Sequence, residues 1–229
     1  MIKMKKCAIA LLLSLCVYHA AQAQDFQDST DTESSSLNPR IGIKGSFIGA
    51  FNSVTFLNST AEAATSMGPR LSWGVGAYLD IPFDEKWGVQ LGLNYASLGT
   101  KLKKGYYLNQ NYTVSQNLKY NYLTIPILAR YNIGTSGWSV LAGPQFGVLL
   151  SARRQVSSTN ANVKSYLKSS DWAGVAGLEY KLPVHSFLHD MRVGASFQYG
   201  LTNIIKDMDT YSSYKLYNNA ANVYVGFTL

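Results

Sequence analysis

Apolar side chains occupy every second position through much of this sequence. In the segment 71–81 all odd positions are apolar, while the even positions carry small or polar residues and one tyrosine. A period of two is that of an extended strand, whose successive side chains point to opposite faces of a sheet. The sequence therefore predicts strands with one apolar face. No apolar run beyond Arg40 approaches the length of a membrane-spanning helix.

Similar alternation marks about eight segments. They are 41–51, 71–81, 87–95, 118–131, 138–151, 172–181, 191–201 and 221–229. An even number of antiparallel strands suits a closed barrel, so residues 40–229 are predicted to form one all-β, up-and-down transmembrane β-barrel of about eight strands. Pro126 and Pro144 lie within two of these strands, where each removes a ladder hydrogen bond and usually indicates a bulge or an edge.

The connections between the predicted strands alternate in length. Long connections are expected at 52–70, 103–117, 152–170 and 202–217, and short ones near Phe83, Asn132 and Pro183. Bacterial outer-membrane barrels have short periplasmic turns and longer extracellular loops. The alternation therefore predicts an outer-membrane protein of a Gram-negative bacterium, with both ends of the barrel on the periplasmic side.

The N-terminal segment has the features of an export signal. Lysines precede an apolar run from Cys7 to Val17, and a small-x-small site follows, so residues 1–23 are predicted to be a signal peptide cleaved between Ala23 and Gln24. The run is too short to span a bilayer as a helix. Residues 24–39 are polar and acidic, which predicts a disordered periplasmic linker.

Alternation alone does not say which face of a barrel is inside. A soluble lipocalin-like barrel around an apolar ligand is therefore a structural alternative. The Gly, Ser, Asn and Gln residues of the polar face fit a narrow lumen, which favours lipid outside. The aromatic residues that would then form girdles at the membrane interfaces are Trp73, Trp87, Tyr95, Tyr131, Trp138, Trp172, Tyr180 and Tyr199.

Several charged residues belong to the polar face and would point into the lumen. They are Lys44, Asp80, Arg130, Glu179 and Arg192. Unpaired charges in such a place would be costly, so the sequence predicts a network of ion pairs. Because the interior of a barrel of about eight strands is just filled by side chains, this network is interpreted as a plug and not as a conduction path.

The sequence predicts no catalytic residue, no metal site and no cofactor. Both cysteines, Cys7 and Cys16, lie in the predicted signal peptide. The histidines of the mature chain, His185 and His189, both fall in one short turn, where neither a nucleophile nor a metal geometry is indicated. The formal net charge of +7 includes the lysines of the signal and is too small to indicate nucleic-acid binding.

The predicted long loops carry basic residues that could bind anionic sugars or the phosphates of lipopolysaccharide. They are Lys101, Lys103, Lys104, Arg153, Arg154, Lys164 and Lys168. Outer-membrane lipid and lipopolysaccharide are therefore expected partners. The alternative is that these residues only keep the loop surface soluble.

Four segments carry a resemblance to a known family: Tyr122–Tyr131, Ala142-Gly143-Pro144, Asp171–Tyr180 and the terminal Val225–Leu229. They resemble the corresponding segments of the PorT-like outer-membrane barrels of Bacteroidetes. The resemblance implies a barrel seated in the outer membrane, and some members of that family serve in the assembly of a protein-secretion machine. The leading hypothesis is a non-enzymatic barrel with a structural or interaction role carried by its loops. An assembly factor for protein secretion, with envelope or secretion proteins as partners, is the second.

Overall fold

The computed structural model describes residues 38–56, 66–107, 110–112, 116–156, 159–183, 190–206 and 214–228. The predicted signal peptide, its cleavage site, most of the predicted linker and both histidines of the mature chain lie outside these residues. Eight long strands are present in the described part: β1 Arg40–Phe56, β2 Ser66–Pro82, β3 Trp87–Tyr107, β5 Gln116–Asn132, β6 Trp138–Val156, β8 Ser170–Lys181, β9 Asp190–Gly200 and β10 Tyr214–Thr228. Two short strands are β4 Gln110–Tyr112 and β7 Thr159–Asn162, and a single turn of 3-10 helix covers Lys164–Tyr166.

The eight long strands form a closed antiparallel barrel, as the sequence predicts. Neighbours in the sequence pair with each other, and β1 pairs with β10 as well as with β2, for example at Ile43 opposite Phe227 and Phe47 opposite Trp73. The short strands β4 and β7 only extend β3 and β6. Closure satisfies the backbone groups that the edge of an open sheet would expose. Among the described residues, no helix is long and apolar enough to cross a membrane.

The two ends of the barrel differ. One end, which we call the turn end, carries the tight connections after Pro82 and Asn132, together with the start of β1 and the end of β10. The opposite end, the loop end, carries the longer connections. At the turn end the Asp84 carboxylate accepts hydrogen bonds from the backbone amides of Trp87 and Lys86, at 2.6 and 2.7 Å. These two bonds hold the pKa of Asp84 below its usual value and fix the turn.

The strands continue further toward the loop end than the sequence indicates. The connections expected at 52–70 and 103–117 begin later, because β1 reaches Phe56 and β3 reaches Tyr107, and β6 likewise reaches Val156. The alternation of apolar residues stops earlier than the strands do, since polar side chains can continue a backbone ladder once no apolar face is needed. The ladder between β5 and β6 skips the positions between Pro126 and Ala129, where prolines were expected to disturb it.

The apolar side chains point outward from the barrel. Phe47 and Leu71 are 80% and 84% exposed, and Ile127, Leu178 and Val223 are also exposed. Toward the turn end, the interior holds mainly the small and polar residues that alternate with them. This is the reverse of a water-soluble protein, in which large apolar side chains are mostly buried.

One glycine in β3 has a backbone that other residues rarely adopt. Gly99 has a φ of 130°, and a Cβ atom there would lie 2.0 Å from the carbonyl oxygen of Leu118 on β5. Side chains are strained at positive φ, and a contact of 2.0 Å requires the two strands to move apart. Gly99 is therefore needed where β3 and β5 pair near the loop end.

Replacement of Gly99 by alanine is expected to lower the free energy of unfolding by about 1–3 kcal/mol. The matched control is Gly45→Ala on β1, where a Cβ atom meets nothing within 4 Å. That control should change stability by less than about 1 kcal/mol and can raise it, because alanine restricts the unfolded chain. Urea unfolding of the refolded protein in detergent measures both variants. Equal stability of the two would contradict the role given to Gly99.

Candidate functional site

Four charged side chains from four strands meet inside the barrel near the turn end. Arg130 Nη1 lies 3.1 Å from Asp80 Oδ2 and 2.9 Å from Glu179 Oε1. Arg192 Nη1 lies 3.2 Å from Glu179 Oε1 and also contacts Asp80. All four residues are buried. We call this group, Asp80, Arg130, Glu179 and Arg192, the lumen ion cluster.

Neutral side chains add hydrogen bonds to the lumen ion cluster. Gln90 donates to Asp80 Oδ1 at 2.9 Å, Tyr224 donates to Glu179 Oε2 at 3.2 Å, and Ser139 accepts from Arg130 Nη2 at 3.0 Å. Buried charges are tolerated when they are both paired and hydrogen-bonded. Together with these partners, the cluster links seven strands across the interior and fills the turn end.

Lys44 is the predicted lumen residue that the structure does not bring into an ion pair with the others. Its ammonium lies over the ring of Tyr224, at 5.4 Å from the centroid, and over the ring of Tyr78, at 6.0 Å. A cation is attracted to the face of an aromatic ring at such distances. Sequence reasoning could place Lys44 on the inner face but could not reveal this ring partner.

A small cavity lies next to the lumen ion cluster, on the side toward the loop end. Its volume is about 70 Å³, enough for a few water molecules. The polar residues that line it include Ser46, Asn94, Thr124, Gln145, Gln198 and Asn222. This volume is well below the roughly 300–1,000 Å³ of typical small-molecule pockets.

The loop end of the lumen is filled mainly by apolar side chains. Buried residues of the strands, among them Leu98 and Leu149, pack with Leu167 and Ile204 from the connections after β7 and β9. The backbone amide of Lys168 donates to the carbonyl of Ile204 at 2.7 Å and joins these two connections. The barrel is thus filled at this end by parts of its own loops.

A polar network crosses this apolar region. Asn218 donates to Asp171 Oδ2 at 2.8 Å and to the Tyr122 hydroxyl at 3.1 Å, and it accepts from Asn52 at 2.9 Å. Thr202 donates to the other oxygen of Asp171 at 2.7 Å. This network was not predicted from the sequence, because Asp171 lies at a predicted strand end and its partners are neutral.

The predicted girdle aromatics all lie on outer faces, and several are in contact in pairs across neighbouring strands. At the turn end the rings of Trp87 and Tyr131 are in tilted contact, with 4.7 Å between their centroids, and those of Trp138 and Tyr180 are in tilted contact at 4.9 Å. The others lie further toward the loop end: Trp73, Tyr95, Trp172 and Tyr199. The ring centroids of Trp73 and Tyr95 are 5.6 Å apart.

The basic residues assigned to loops by the sequence lie mostly on strands. Lys101, Lys103 and Lys104 are on β3, and Arg153 and Arg154 are on β6, so their assignment to loops is wrong. The reason is the extension of these strands beyond the apolar segments. The other two predicted members differ: Lys164 begins the 3-10 helix and is exposed, and Lys168 follows it and is half-buried. The side chains of Lys103 and Lys104 lie outside the described part.

Lys119 is a further basic residue that was not predicted from the sequence. This residue is exposed on the outer face of β5 and lies directly opposite Arg153 of β6. The sequence did contain a signal for this position: Lys119 lies an even number of residues from the outward-facing Ile125 and Ile127, and alternate residues of a strand share a face. In the described residues no group of three or more His, Cys, Asp and Glu side chains is placed to hold a metal ion.

A closed eight-stranded antiparallel barrel with an apolar exterior and a filled interior is the architecture of an outer-membrane β-barrel. The family model described as outer membrane protein beta-barrel domain matches residues 22–206, and the chain belongs to this family. No curated protein matches the sequence.

Solved outer-membrane barrels are similar at low identity. Ail of Yersinia pestis, solved with the heparin analogue sucrose octasulfate, is 13% identical, with 84% of this chain and 99% of that chain covered and a TM-score of 0.43. Neisserial surface protein A is 13% identical, with 86% and 100% covered and a TM-score of 0.45. OprG of Pseudomonas aeruginosa is 14% identical, with 83% and 95% covered and a TM-score of 0.46.

Proposed function

We propose that this protein is a non-enzymatic barrel of the outer membrane with a structural or interaction role carried by its loop end. The observation that carries the proposal is the filled lumen. The lumen ion cluster occupies the turn end, and Leu167 and Ile204 pack into the apolar core at the loop end. A barrel filled in this way has its outer surface and its loops available for partners.

The proposal places the turn end in the periplasm and the loop end outside the cell. The unequal connections support this orientation, because outer-membrane barrels have short periplasmic turns and longer outer loops. The aromatic pairs Trp87–Tyr131 and Trp138–Tyr180 suit the periplasmic interface of the outer membrane, because amphipathic rings are enriched at membrane interfaces. The predicted signal peptide and periplasmic linker fit the same placement.

A soluble lipocalin-like barrel is less well supported. Such a protein encloses an apolar ligand, whereas the cavity here has a volume of about 70 Å³ and many polar lining residues. The highly exposed Phe47 and Leu71 would also meet water in a soluble protein. If the protein were such a soluble barrel, it would be recovered in the aqueous phase without detergent.

A role in assembling a protein-secretion system is the second candidate. It rests on the resemblance of Tyr122–Tyr131 and the other segments to PorT-like barrels of Bacteroidetes. The test is affinity purification from membranes solubilised in mild detergent, followed by analysis of the secreted proteome after gene deletion. Stoichiometric envelope partners and loss of exported cargo would support the role, and a barrel that purifies alone with unchanged cargo would exclude it.

Single cysteines can test the proposed membrane placement. Lys164 and Thr135 are both exposed, the first in the connection between β7 and β8 and the second in the turn between β5 and β6. We expect a membrane-impermeant maleimide to label Lys164→Cys in intact cells and to label Thr135→Cys only after lysis. Labelling of Thr135→Cys alone would reverse the orientation. Recovery of both variants in the soluble fraction would overturn the membrane placement.

The filled lumen also leads to a conductance prediction. The purified barrel inserted into a planar lipid bilayer is expected to show no stepwise ionic currents, because Arg130 and Arg192 are held by carboxylates across the lumen. A known porin in the same bilayer serves as the positive control. Regular unitary currents from this protein would contradict the plug.

A further inference from the structure

Two basic side chains lie opposite each other on the outer surface near the loop end. Lys119 of β5 and Arg153 of β6 are register partners, and both are exposed. Side chains directly opposite each other in an antiparallel pair have Cβ atoms about 4.5–5.5 Å apart, and like charges at this distance repel. The pair therefore destabilises the ladder unless an anion lies between the two side chains.

A third cation lies beside this pair. Lys101 is exposed on β3, two positions from Gly99, which is the register partner of Lys119. The three residues Lys101, Lys119 and Arg153 thus lie on adjacent strands, and we call them the basic rim. Lys164 is close to the same surface, because its ammonium donates to the carbonyl of Leu150 on β6 at 2.8 Å.

No acidic side chain in the described residues balances the basic rim. The described acidic residues near the turn end are Asp80, Asp84, Glu85, Glu179 and Asp190. Asp171 is nearer the loop end, but it is 4% exposed and its oxygens accept from Asn218 and Thr202 inside the lumen. The described exterior at this end therefore has unbalanced positive charge at the basic rim.

The outer face of the same strands is apolar below the basic rim. Ile125 and Ile127 of β5 and Val148 and Leu150 of β6 are all exposed. An amphiphile lying on this surface would place its acyl chains against these side chains and its headgroup beside Lys119 and Arg153. The headgroup that matches two or three adjacent cations is an anionic one, and guanidinium groups bind phosphate oxygens with paired hydrogen bonds.

We propose that the basic rim binds a phosphate group of an outer-leaflet glycolipid whose acyl chains lie on β5 and β6. This inference rests on the proposed placement of the loop end at the outer surface. The phosphate stabilises the Lys119–Arg153 pair by separating two like charges. The bound lipid thereby stays on the side of the barrel formed by β5 and β6.

The test is native mass spectrometry of the purified barrel in detergent with phosphorylated lipid A as the probe. We expect the double variant Lys119→Gln with Arg153→Gln to bind about 20-fold to 30-fold more weakly than the wild type, as expected for loss of two surface cations. The matched control is Lys86→Gln with Lys215→Gln, which removes two exposed lysines that lie in the turn between β2 and β3 and on β10, away from the basic rim. The control variant should bind as the wild type does.

The outcomes that overturn the proposal are distinct. Equal binding by the two double variants would exclude the basic rim as the site. Equal binding of lipid A before and after phosphatase treatment would exclude the phosphate as the recognised group. Displacement of lipid A by inorganic phosphate at comparable concentration would show a simple anion site and overturn the commitment to a glycolipid.

A charge reversal separates binding from folding. Arg153→Glu replaces the repulsive pair with an attractive one, so its midpoint of unfolding in neutral detergent should lie above that of the wild type. Adding phosphorylated lipid A should raise the midpoint of the wild type and leave this variant unchanged. The opposite pattern would overturn the proposal. Failure of the cysteine labelling would instead remove the membrane placement, so the two failures are distinguishable.

Discussion

Replacement of Asp80 by alanine is expected to lower the free energy of unfolding by about 3 kcal/mol. Asp80 contacts both arginines of the lumen ion cluster and accepts from Gln90. Without it, Arg130 and Arg192 share the single carboxylate of Glu179, and a buried cation is left without its counter-charge. Tryptophan fluorescence during urea unfolding of the protein refolded into vesicles measures the loss.

The matched control for this experiment is a salt bridge at the barrel rim. Lys181 lies 2.9 Å from Asp190, and both side chains are partly exposed. Because water screens such pairs, Lys181→Ala should cost about 1 kcal/mol or less. A second comparison adds Arg192→Met to Asp80→Ala, which restores the charge balance and should recover part of the stability. Equal effects of Asp80→Ala and Lys181→Ala would contradict the structural importance of the cluster.

An arginine in place of Phe47 is expected to destabilise the barrel in a membrane by about 2–4 kcal/mol. Phe47 lies midway along β1, 80% exposed, between the outward Trp73 and Val223 on the neighbouring strands. If this surface contacts hydrocarbon, the guanidinium must be moved toward the interface or be left poorly solvated. Unfolding in vesicles, compared with the wild type, gives the cost.

Phe83→Arg is the matched control because Phe83 is an equally large exposed side chain in the turn between β2 and β3. That turn lies outside the predicted membrane span, so we expect a change within about 0.5 kcal/mol. The pair of variants also distinguishes the lipocalin-like alternative. In a soluble barrel both positions face water, and Phe47→Arg would then cost no more than Phe83→Arg.

The fold could be predicted from the sequence because a membrane barrel has a direct local signature. Each strand contributes its own alternation, and the segment 71–81 alone indicates an apolar outer face. The family match and the closed sheet confirm the predicted class. The ends of the strands could not be predicted, since polar residues such as those after Thr100 carry no alternation and still pair in the sheet.

The candidate sites could be predicted only in part. Alternation shows that Arg130 and Arg192 lie on the inner face, but it does not give the depth of each strand in the barrel. The register between strands determines depth, and it follows from pairings such as Asp80 opposite Gln90 that no single segment encodes. The same limit applies to the basic rim, because Lys119 and Arg153 meet only through the register of β5 and β6.

The lumen ion cluster has a consequence for how the barrel forms. Asp80 and Arg192 are 112 residues apart in the sequence, and their strands are separated by others on both sides of the barrel. A partly assembled sheet therefore holds charges that have no partners within the bilayer, which is strongly unfavourable. Intermediates in which the barrel is still open therefore have a high free energy. Pairing of the last two strands brings the charges together and removes this cost. Barrel formation should consequently be an all-or-none event, with few half-closed species at equilibrium.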